Sequence, residues 1–217
     1  MAITTFALLK TAAANWLLRS DLDTTDDSRI EEFIALAEAG FNRRLRTREQ
    51  YTRSTASSSS QFVGLPSDLL ELVNVQINTS PPKRLIQATP SIADDIRTAR
   101  SDTTGVPVYF AIAGKSLELV PTPSSSTELE LMYYQTIPAL TSSATTNWLL
   151  TSHPDLYLYG TLVAAEGFLM NDARMPFWKT QVEQGLEEVR VADERAQSFG
   201  DMPTMMPATR LDYGQWK

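Results

Sequence analysis

The chain has 217 residues, 42% hydrophobic and 21% charged, which is typical of a globular protein that buries one good core or two small ones. It contains no cysteine, which excludes disulfide bonds, thiolate metal ligands and thiol catalysis. The net charge of −7 and the lack of a basic stripe exclude the electrostatic footprint of a nucleic-acid-binding protein. The first residues lack a secretory signal pattern, so we expect a protein made and kept inside a cell.

Two amphipathic helices are predicted in the first 50 residues. The first covers residues 5–19, with apolar side chains at steps of three and four and Thr4 or Thr5 as its cap. The second follows an acidic segment and begins with the capping-box spacing of Ser28 and Glu31. It ends in a basic cluster formed by Arg43, Arg44, Arg46 and Arg48. These cations either offset the negative end of the helix dipole or contact an acidic partner surface.

The middle of the chain is predicted to be β-rich, because Thr, Ser and β-branched residues replace the helical pattern. We expect strands at residues 51–56, 61–63, 72–78, 84–87, 108–113, 116–120 and 127–135. Ser57 to Ser60 are expected to form a flexible turn, and Gly114-Lys115 a tight hairpin turn. Thr89-Pro90 is predicted to open a short helix that ends near Arg100.

A helix that is apolar on nearly all sides is predicted at residues 156–170, where Glu166 is the only charge. Other elements must cover such a helix, so we expect it to be the central core helix. It is shorter than the ~20 apolar residues of a membrane span, so no span is predicted. Ser152 and Asp155 have capping-box spacing at its start. The small residues that would allow close approach of a neighbouring backbone are Gly160, Ala164 and Gly167.

A last long helix is predicted from Pro176 to Phe199, with an apolar seam at heptad spacing. The seam is formed by Trp178, Val182, Gly185, Val189, Ala192, Ala196 and Phe199. We expect this helix to pack against another helix of its own chain, and an intermolecular coiled coil is the alternative.

The segment 201–217 contains Pro203 and Pro207, which prevent a regular helix, so we predict an extended arm. Its large apolar side chains are Met205, Met206, Leu211, Tyr213 and Trp216. Side chains of this type dominate interface energetics. We therefore expect an assembly arm that is mobile in the free chain and docks on a partner or a neighbouring subunit.

No motif predicts catalysis or the binding of a metal or cofactor. His153 precedes Pro154 and Asp155, which suggests a base with a carboxylate neighbour, but its position at a helix cap favours a structural role. Asp26-Asp27 and Asp94-Asp95 resemble acid pairs, yet adjacent carboxylates in a helix point in different directions. We predict a protein that is not an enzyme; the alternatives are an acid-pair hydrolase and a ligand- or glycan-binding β-domain protein.

These elements predict an α+β fold with four segments. Residues 1–50 and 141–200 form a helical bundle built from both chain ends, and residues 51–140 form an inserted antiparallel β-rich domain. Residues 201–217 form the extended C-terminal arm.

Several sequence segments, in this order, resemble one known family. They are Phe41-Asn42-Arg43-Arg44-Leu45-Arg46, Leu65-Pro66-Ser67-Asp68-Leu69-Leu70-Glu71, Gly114-Lys115-Ser116-Leu117-Glu118-Leu119-Val120-Pro121-Thr122-Pro123, Leu129-Glu130-Leu131-Met132-Tyr133-Tyr134, and Thr146-Asn147-Trp148-Leu149-Leu150 with His153-Pro154-Asp155-Leu156-Tyr157-Leu158-Tyr159-Gly160. Together they resemble the head-to-tail adaptor (connector, tail tubular protein A-like) proteins of short-tailed phages.

The resemblance implies a structural protein of the virion, located at the head–tail junction and made in the host cytoplasm. It implies a homo-oligomeric ring of twelve copies under the portal protein, which extends the DNA channel and gives tail or nozzle proteins a platform. The arm would then bind the portal or a neighbouring subunit. Genomic DNA would pass without sequence-specific binding, and an acidic chain suits such a conduit because a wall that held DNA tightly would hinder its passage.

Overall fold

The structure is a computed structural model that describes residues 2–22, 28–99, 104–170 and 173–198. In these ranges the chain is an α+β protein, so the predicted fold class is confirmed. The predicted arm at 201–217, the Asp26-Asp27 pair, Arg100 and Phe199 lie outside the described residues.

The α-helices of the described ranges have these bounds: α1 Phe6–Leu17, α2 Arg29–Arg44, α3 Pro90–Ala99, α4 Trp148–Ser152, α5 Pro154–Leu169 and α6 Met175–Ser198. The Thr5 hydroxyl accepts the N–H of Leu8 at 3.4 Å, which confirms Thr5 as the cap of α1. The Thr89 hydroxyl accepts the N–H of Ile92 at 3.3 Å, so the predicted cap of α3 is also confirmed. None of the described helices is long and apolar enough to cross a membrane.

α5 is the centre of the helical bundle, with α1, α2, α4 and α6 packed around it. Leu9 and Ile34 from the N-terminal helices share one hydrophobic core with Leu156 and Leu186 from the C-terminal ones. The bundle is therefore built from both chain ends, as predicted. α6 packs along α5 of its own chain, although the predicted seam residue Ala192 is exposed.

The start of α5 differs from its prediction. Ser152 is the last residue of α4, and His153 stands at the N-cap of α5 without a side-chain capping hydrogen bond. Ser28 likewise makes no side-chain capping bond at the start of α2. The predicted capping box of Ser152 and Asp155 is wrong, because a residue before proline is disfavoured in the α-helical conformation and the chain breaks at His153.

The β-rich region has ten strands in the described ranges: β1 Tyr51–Ser58, β2 Phe62–Gly64, β3 Leu69–Ile77, β4 Lys83–Arg84, β5 Ile86–Gln87, β6 Thr104–Gly105, β7 Tyr109–Ala113, β8 Ser116–Val120, β9 Thr122–Pro123 and β10 Thr127–Gln135. Two four-stranded sheets have the orders β1-β10-β3-β4 and β2-β8-β7-β5, and β6 pairs with β9. All pairs are antiparallel except β5–β7 and β6–β9.

The two larger sheets share a second hydrophobic core, which includes Val75 and Leu129 of one sheet and Leu117 and Leu119 of the other. α3 covers the opposite face of the second sheet, where Ala93 packs with alanine and valine side chains of β7 and β8. The β-rich region thus has a core separate from that of the bundle. The domain boundaries near residues 51 and 141 stay a prediction.

Two local predictions in the β-rich region are wrong and one is confirmed. Ser57 and Ser58 belong to β1, because β10 supplies their backbone partners. The single strand expected at residues 84–87 is divided between β4 and β5, since the chain passes there from one sheet to the other. The turn at Gly114 joins β7 to β8 as predicted, with a φ of +63° that favours glycine.

Candidate assembly surfaces

A buried polar network fastens the segment between β10 and α4 to the helical bundle. The Asn147 side-chain oxygen accepts the N–H of Leu150 at 2.8 Å and so caps α4. Its amide nitrogen donates to the Pro138 carbonyl at 2.8 Å and lies 2.6 Å from the Tyr157 hydroxyl. One side chain therefore ends a loop, starts a helix and contacts the central helix.

The other end of the network is the Glu38 carboxylate of α2. It accepts the Tyr157 hydroxyl at 3.1 Å and the N–H of Leu140 at 2.8 Å. Burial raises the pKa of the Glu38 carboxyl, although these two hydrogen bonds act in the opposite direction. Burial and the nearby Glu38 carboxylate also raise the pKa of the Tyr157 hydroxyl. Asn42, one turn further along α2, accepts the N–H of Ile137 at 2.8 Å, so α2 holds this segment at two points, Leu140 and Ile137.

The small residues of the predicted stripe on α5 differ in how closely other side chains approach them. A Cβ atom at Gly160 would lie 2.7 Å from Phe41 Cζ and 3.1 Å from Ala37 Cβ, so α2 approaches α5 there. A Cβ atom at Gly167 would have only Met175 Cε at 3.8 Å. Ala164, between them, is partly buried against the bundle core.

The predicted packing residues of α6 lie on the face toward α1 and α5. The Trp178 ring stacks on Tyr159 with a centroid separation of 5.7 Å and an interplanar angle of 18°. Val182 is partly buried, and Val189 is buried. Leu186 is also buried in this interface, and the predicted seam did not include it.

Large apolar side chains are exposed where α1 and α5 end and α6 begins. The ring centroids of Trp16 and Trp178 are 5.5 Å apart, but Trp16 is 47% exposed. Trp16 is therefore not the buried core residue that the helical spacing of the apolar residues in α1 predicted. The Phe177 ring packs edge-on against Trp178 with a centroid separation of 4.8 Å, and Phe177 is also exposed. Leu18 and Met170, each just past a helix end, are 85% and 87% exposed and have left-handed backbone conformations. Trp16 and Phe177, which both contact Trp178, form a small exposed apolar cluster of the kind typical of protein-binding surfaces.

The arginine cluster at the end of α2 is joined to acidic side chains of α6 and β3. Arg44 forms a bidentate ion pair with Glu183, which lowers the pKa of that carboxyl. Arg46 Nε lies 3.0 Å from Glu71 Oε2, and its guanidinium also donates to two carbonyls near the helix end. These two cations therefore have partners within the chain.

The remaining two arginines differ from each other. The Arg48 backbone N–H donates to Asp193 Oδ1 at 3.1 Å, and its Nε lies 3.6 Å from the same oxygen. Arg43 is exposed and has neither an ion pair nor a hydrogen bond to any residue of the described ranges. Contact of the cluster with an acidic partner stays a prediction, and Arg43 is the member that has no ion pair within the described ranges.

The candidate catalytic residues lie on different elements, the aspartate pair on α3 and His153 between α4 and α5. Asp94 and Asp95 are exposed on α3, and Asp94 Oδ1 lies 3.7 Å from Arg97 of the same helix. His153 is half-buried at the break between α4 and α5. No group of three or more potential metal ligands occurs among the described residues.

The family of the chain follows from comparison with known proteins. The model of the SU10 adaptor protein family matches residues 4–207. The chain belongs to this family. No curated protein matches it. The match covers the bundle and the β-rich region and confirms the resemblance to phage head-to-tail adaptors, so the protein is a structural phage protein.

Two of the segments of this adaptor that carry the sequence resemblance, the first and the last, supply residues of the buried network. Asn42 lies in the first of these segments, and Asn147 and Tyr157 lie in the last. Sequence reasoning assigned none of them a role, and it missed Glu38 as well. A signal was present, because Glu38 lies on the apolar face of α2, four residues after Ile34 and three before Phe41.

Proposed function

We propose that this SU10-family adaptor forms a homo-oligomeric ring of twelve copies under the portal protein of a short-tailed phage. The ring extends the DNA channel and provides the platform on which tail or nozzle proteins assemble. The observation that carries the proposal is the family match over residues 4–207. The protein thus acts at the head–tail junction of the virion, after synthesis in the host cytoplasm.

The bundle is the rigid body from which such a ring is assembled. Its central helix is covered by α1, α2, α4 and α6, and the network of Glu38, Asn147 and Tyr157 fixes the chain between the bundle and the sheets. The acidic net charge of −7 suits the wall of a conduit, because DNA that passes must not be held.

The C-terminal arm is the part that we assign to the portal or to a neighbouring subunit. Met205 and Met206 lie inside the family match, whereas Leu211, Tyr213 and Trp216 lie beyond residue 207. The sixteen residues from Met202 to Lys217, at ~3.3 Å each, span up to about 50 Å, enough to reach a second protein. A few apolar anchors then supply the binding energy that offsets the cost of ordering the arm.

We assign the contact between the ring and an acidic partner surface to the arginine cluster at the end of α2. Arg44, Arg46 and Arg48 are held by acidic side chains of their own chain, and Arg43 has an unpaired guanidinium in the described structure. A charge at an interface rim affects association rate and salt dependence more than affinity. Arg43→Ala should therefore slow ring association at low salt and have little effect at high salt.

The proposal is tested by mixing the protein with the portal protein of the same phage and following the mixture by sedimentation and electron microscopy. The expected result is a faster-sedimenting particle whose images show a second ring on one face of the portal. A portal that sediments and looks the same with and without the protein would refute the proposed role.

A chain truncated after Asp201 tests the arm separately. It should keep the circular dichroism spectrum, and therefore the fold, of the full chain and fail to join portal rings. If the truncated chain joins rings as well as the full chain does, the arm has no role in assembly, while the adaptor role itself stands.

A further inference from the structure

An open apolar groove lies between α2 and α6, with α5 as its floor. Its volume is about 290 Å³. Leu36 and Gly40 form one wall, Val163 and Ala164 the floor, and Val182 the other wall. Leu36 is 61% exposed, and a Cβ atom at Gly40 would meet only Arg43 Nη2, at 3.9 Å. The groove can therefore accept apolar side chains without displacement of the three helices.

Two cations that have no acidic partner among the described residues lie along the groove. Arg43 is on the α2 side and Lys179 is on the α6 side. In the described part of the chain, neither forms an ion pair or a hydrogen bond. Glu183, the acidic residue of the lining, is already paired with Arg44. The groove thus fits an apolar segment that carries one carboxylate.

We propose that the groove binds the segment Leu211-Asp212-Tyr213 of its own chain. In an extended segment, Leu211 and Tyr213 point to one side and Asp212 to the other. The leucine and tyrosine side chains then enter the groove, and the Asp212 carboxylate lies at the rim near Arg43 and Lys179.

The length of the chain allows this arrangement. α6 ends at Ser198, and the groove residues Val182 and Lys179 lie 16 and 19 positions earlier on the same helix, a distance of about 24–29 Å at ~1.5 Å per residue. Leu211 lies 13 positions after Ser198, which corresponds to about 43 Å of extended chain. The chain after α6 is therefore long enough for Leu211 to reach the groove.

Binding within one chain is favoured over binding between chains before the ring forms. A short tether gives the segment an effective concentration in the millimolar range, far above that of free protein in solution. The groove would cover two anchors of the arm until assembly, and an assembly partner would compete with the groove for them. The free chain then has a bound arm, where the sequence alone predicted a mobile one.

Methyl NMR of the full chain tests whether the groove is occupied. The Leu36, Val163 and Val182 methyl signals of the wild-type chain should differ from those of the double variant Leu211→Ser/Tyr213→Ser. The matched control Met205→Ser/Met206→Ser changes two other apolar residues of the arm and should leave these signals at their wild-type positions. Identical groove signals in the wild type and the Leu211→Ser/Tyr213→Ser variant would overturn the proposal.

Disulfide trapping tests which chain supplies the segment, and the absence of natural cysteine makes it unambiguous. Under mild oxidation with oxidised glutathione, Leu36→Cys combined with Gly214→Cys should give a cross-linked monomer. The control pair, Ser57→Cys on exposed β1 with Gly214→Cys, should form no cross-link within the chain and should react only with glutathione. A disulfide-linked dimer would overturn the assignment to the same chain in favour of a second copy.

Charge reversal tests the role of Asp212. In the trapping assay, Arg43→Glu/Lys179→Glu should lower the equilibrium constant for groove binding at least about fivefold, because it removes two rim pairs of roughly 0.5 kcal/mol each and replaces them with like-charge repulsion. An unchanged yield of cross-linked monomer would overturn the charge contact. These assays use the free chain, so their failure leaves the adaptor role intact, and failure of portal binding leaves the groove assignment intact.

Discussion

Three glycines in the helical bundle give a graded test of how closely its helices pack. An added Cβ atom would lie 2.7 Å from Phe41 Cζ at Gly160, 3.2 Å from Leu156 Cδ1 at Gly185 and 3.8 Å from Met175 Cε at Gly167. The first distance is a steric clash, and the last is an ordinary contact. Substitution by alanine should therefore affect the three sites differently.

The size of the difference follows from two opposing contributions. Replacing a helical glycine by alanine stabilises a helix by up to ~1 kcal/mol, and this contribution is similar at all three positions. Overpacking of a core costs ~1–3 kcal/mol. Because Phe41 is buried and its ring packs edge-on against Tyr157 at 5.4 Å, it cannot move aside freely. Gly160→Ala should thus be about 1–3 kcal/mol less stable than Gly167→Ala.

Thermal unfolding of the three variants measures this difference. For a chain of this size, 1 kcal/mol corresponds to ~2–4 °C in melting temperature, so the Gly160 and Gly167 variants should differ by about 2–12 °C. Gly185→Ala should fall between them, and Gly160→Leu should be the least stable of all.

The double variant Gly160→Ala/Phe41→Leu identifies the cause. Its loss should be smaller than the sum of the two single losses, since leucine removes the ring atom that the added methyl group meets. Equal melting temperatures for Gly160→Ala and Gly167→Ala would show that α2 does not approach α5 as described.

The remaining predictions concern the buried network. Burial raises the pKa of Glu38 above its ordinary 4.5, so its contribution to stability is fully present below pH 4.5 and is lost as the pH rises through the raised pKa. Glu38→Gln should therefore flatten the pH dependence of urea unfolding above pH 4.5, and an unchanged slope there would contradict this. Asn147→Ala should cost about 2–3 kcal/mol, because it removes a helix cap and leaves the Pro138 carbonyl unpaired. Asn147→Asp keeps the cap acceptor, so urea denaturation should place its stability between wild type and Asn147→Ala; equal losses would show that the cap contributes nothing.

The parts of the fold that depend on local pattern were predictable from the sequence. The apolar spacing of α1 and α2, the uniformly apolar α5 and the Gly114-Lys115 turn all appear where the pattern placed them. These features depend on contacts or conformations within a few residues of each other. The combination of chain ends in one bundle followed from the need of each amphipathic face for cover.

Features that depend on distant partners were not predictable in the same way. Glu38 bonds to Leu140 across 102 positions of sequence, and no local pattern identifies such a pair. Ser57 and Ser58 have the composition of a turn, yet pairing with β10 makes them a strand because tertiary context overrides weak local preference. The candidate assembly surfaces were predictable only as residue types, since exposure of Trp16 and pairing of Arg44 depend on the packed bundle.

The left-handed residues Leu18 and Met170 show a conflict between stability and surface chemistry. Their φ angles of 56° and 54° lie in a region where glycine is unstrained, and a side chain there costs roughly 1–2 kcal/mol. Both side chains are almost fully exposed, so burial within the described monomer returns little of that cost. Folding alone would favour glycine at both helix ends. At both helix ends the described subunit therefore keeps a strained backbone beside an apolar side chain that faces solvent.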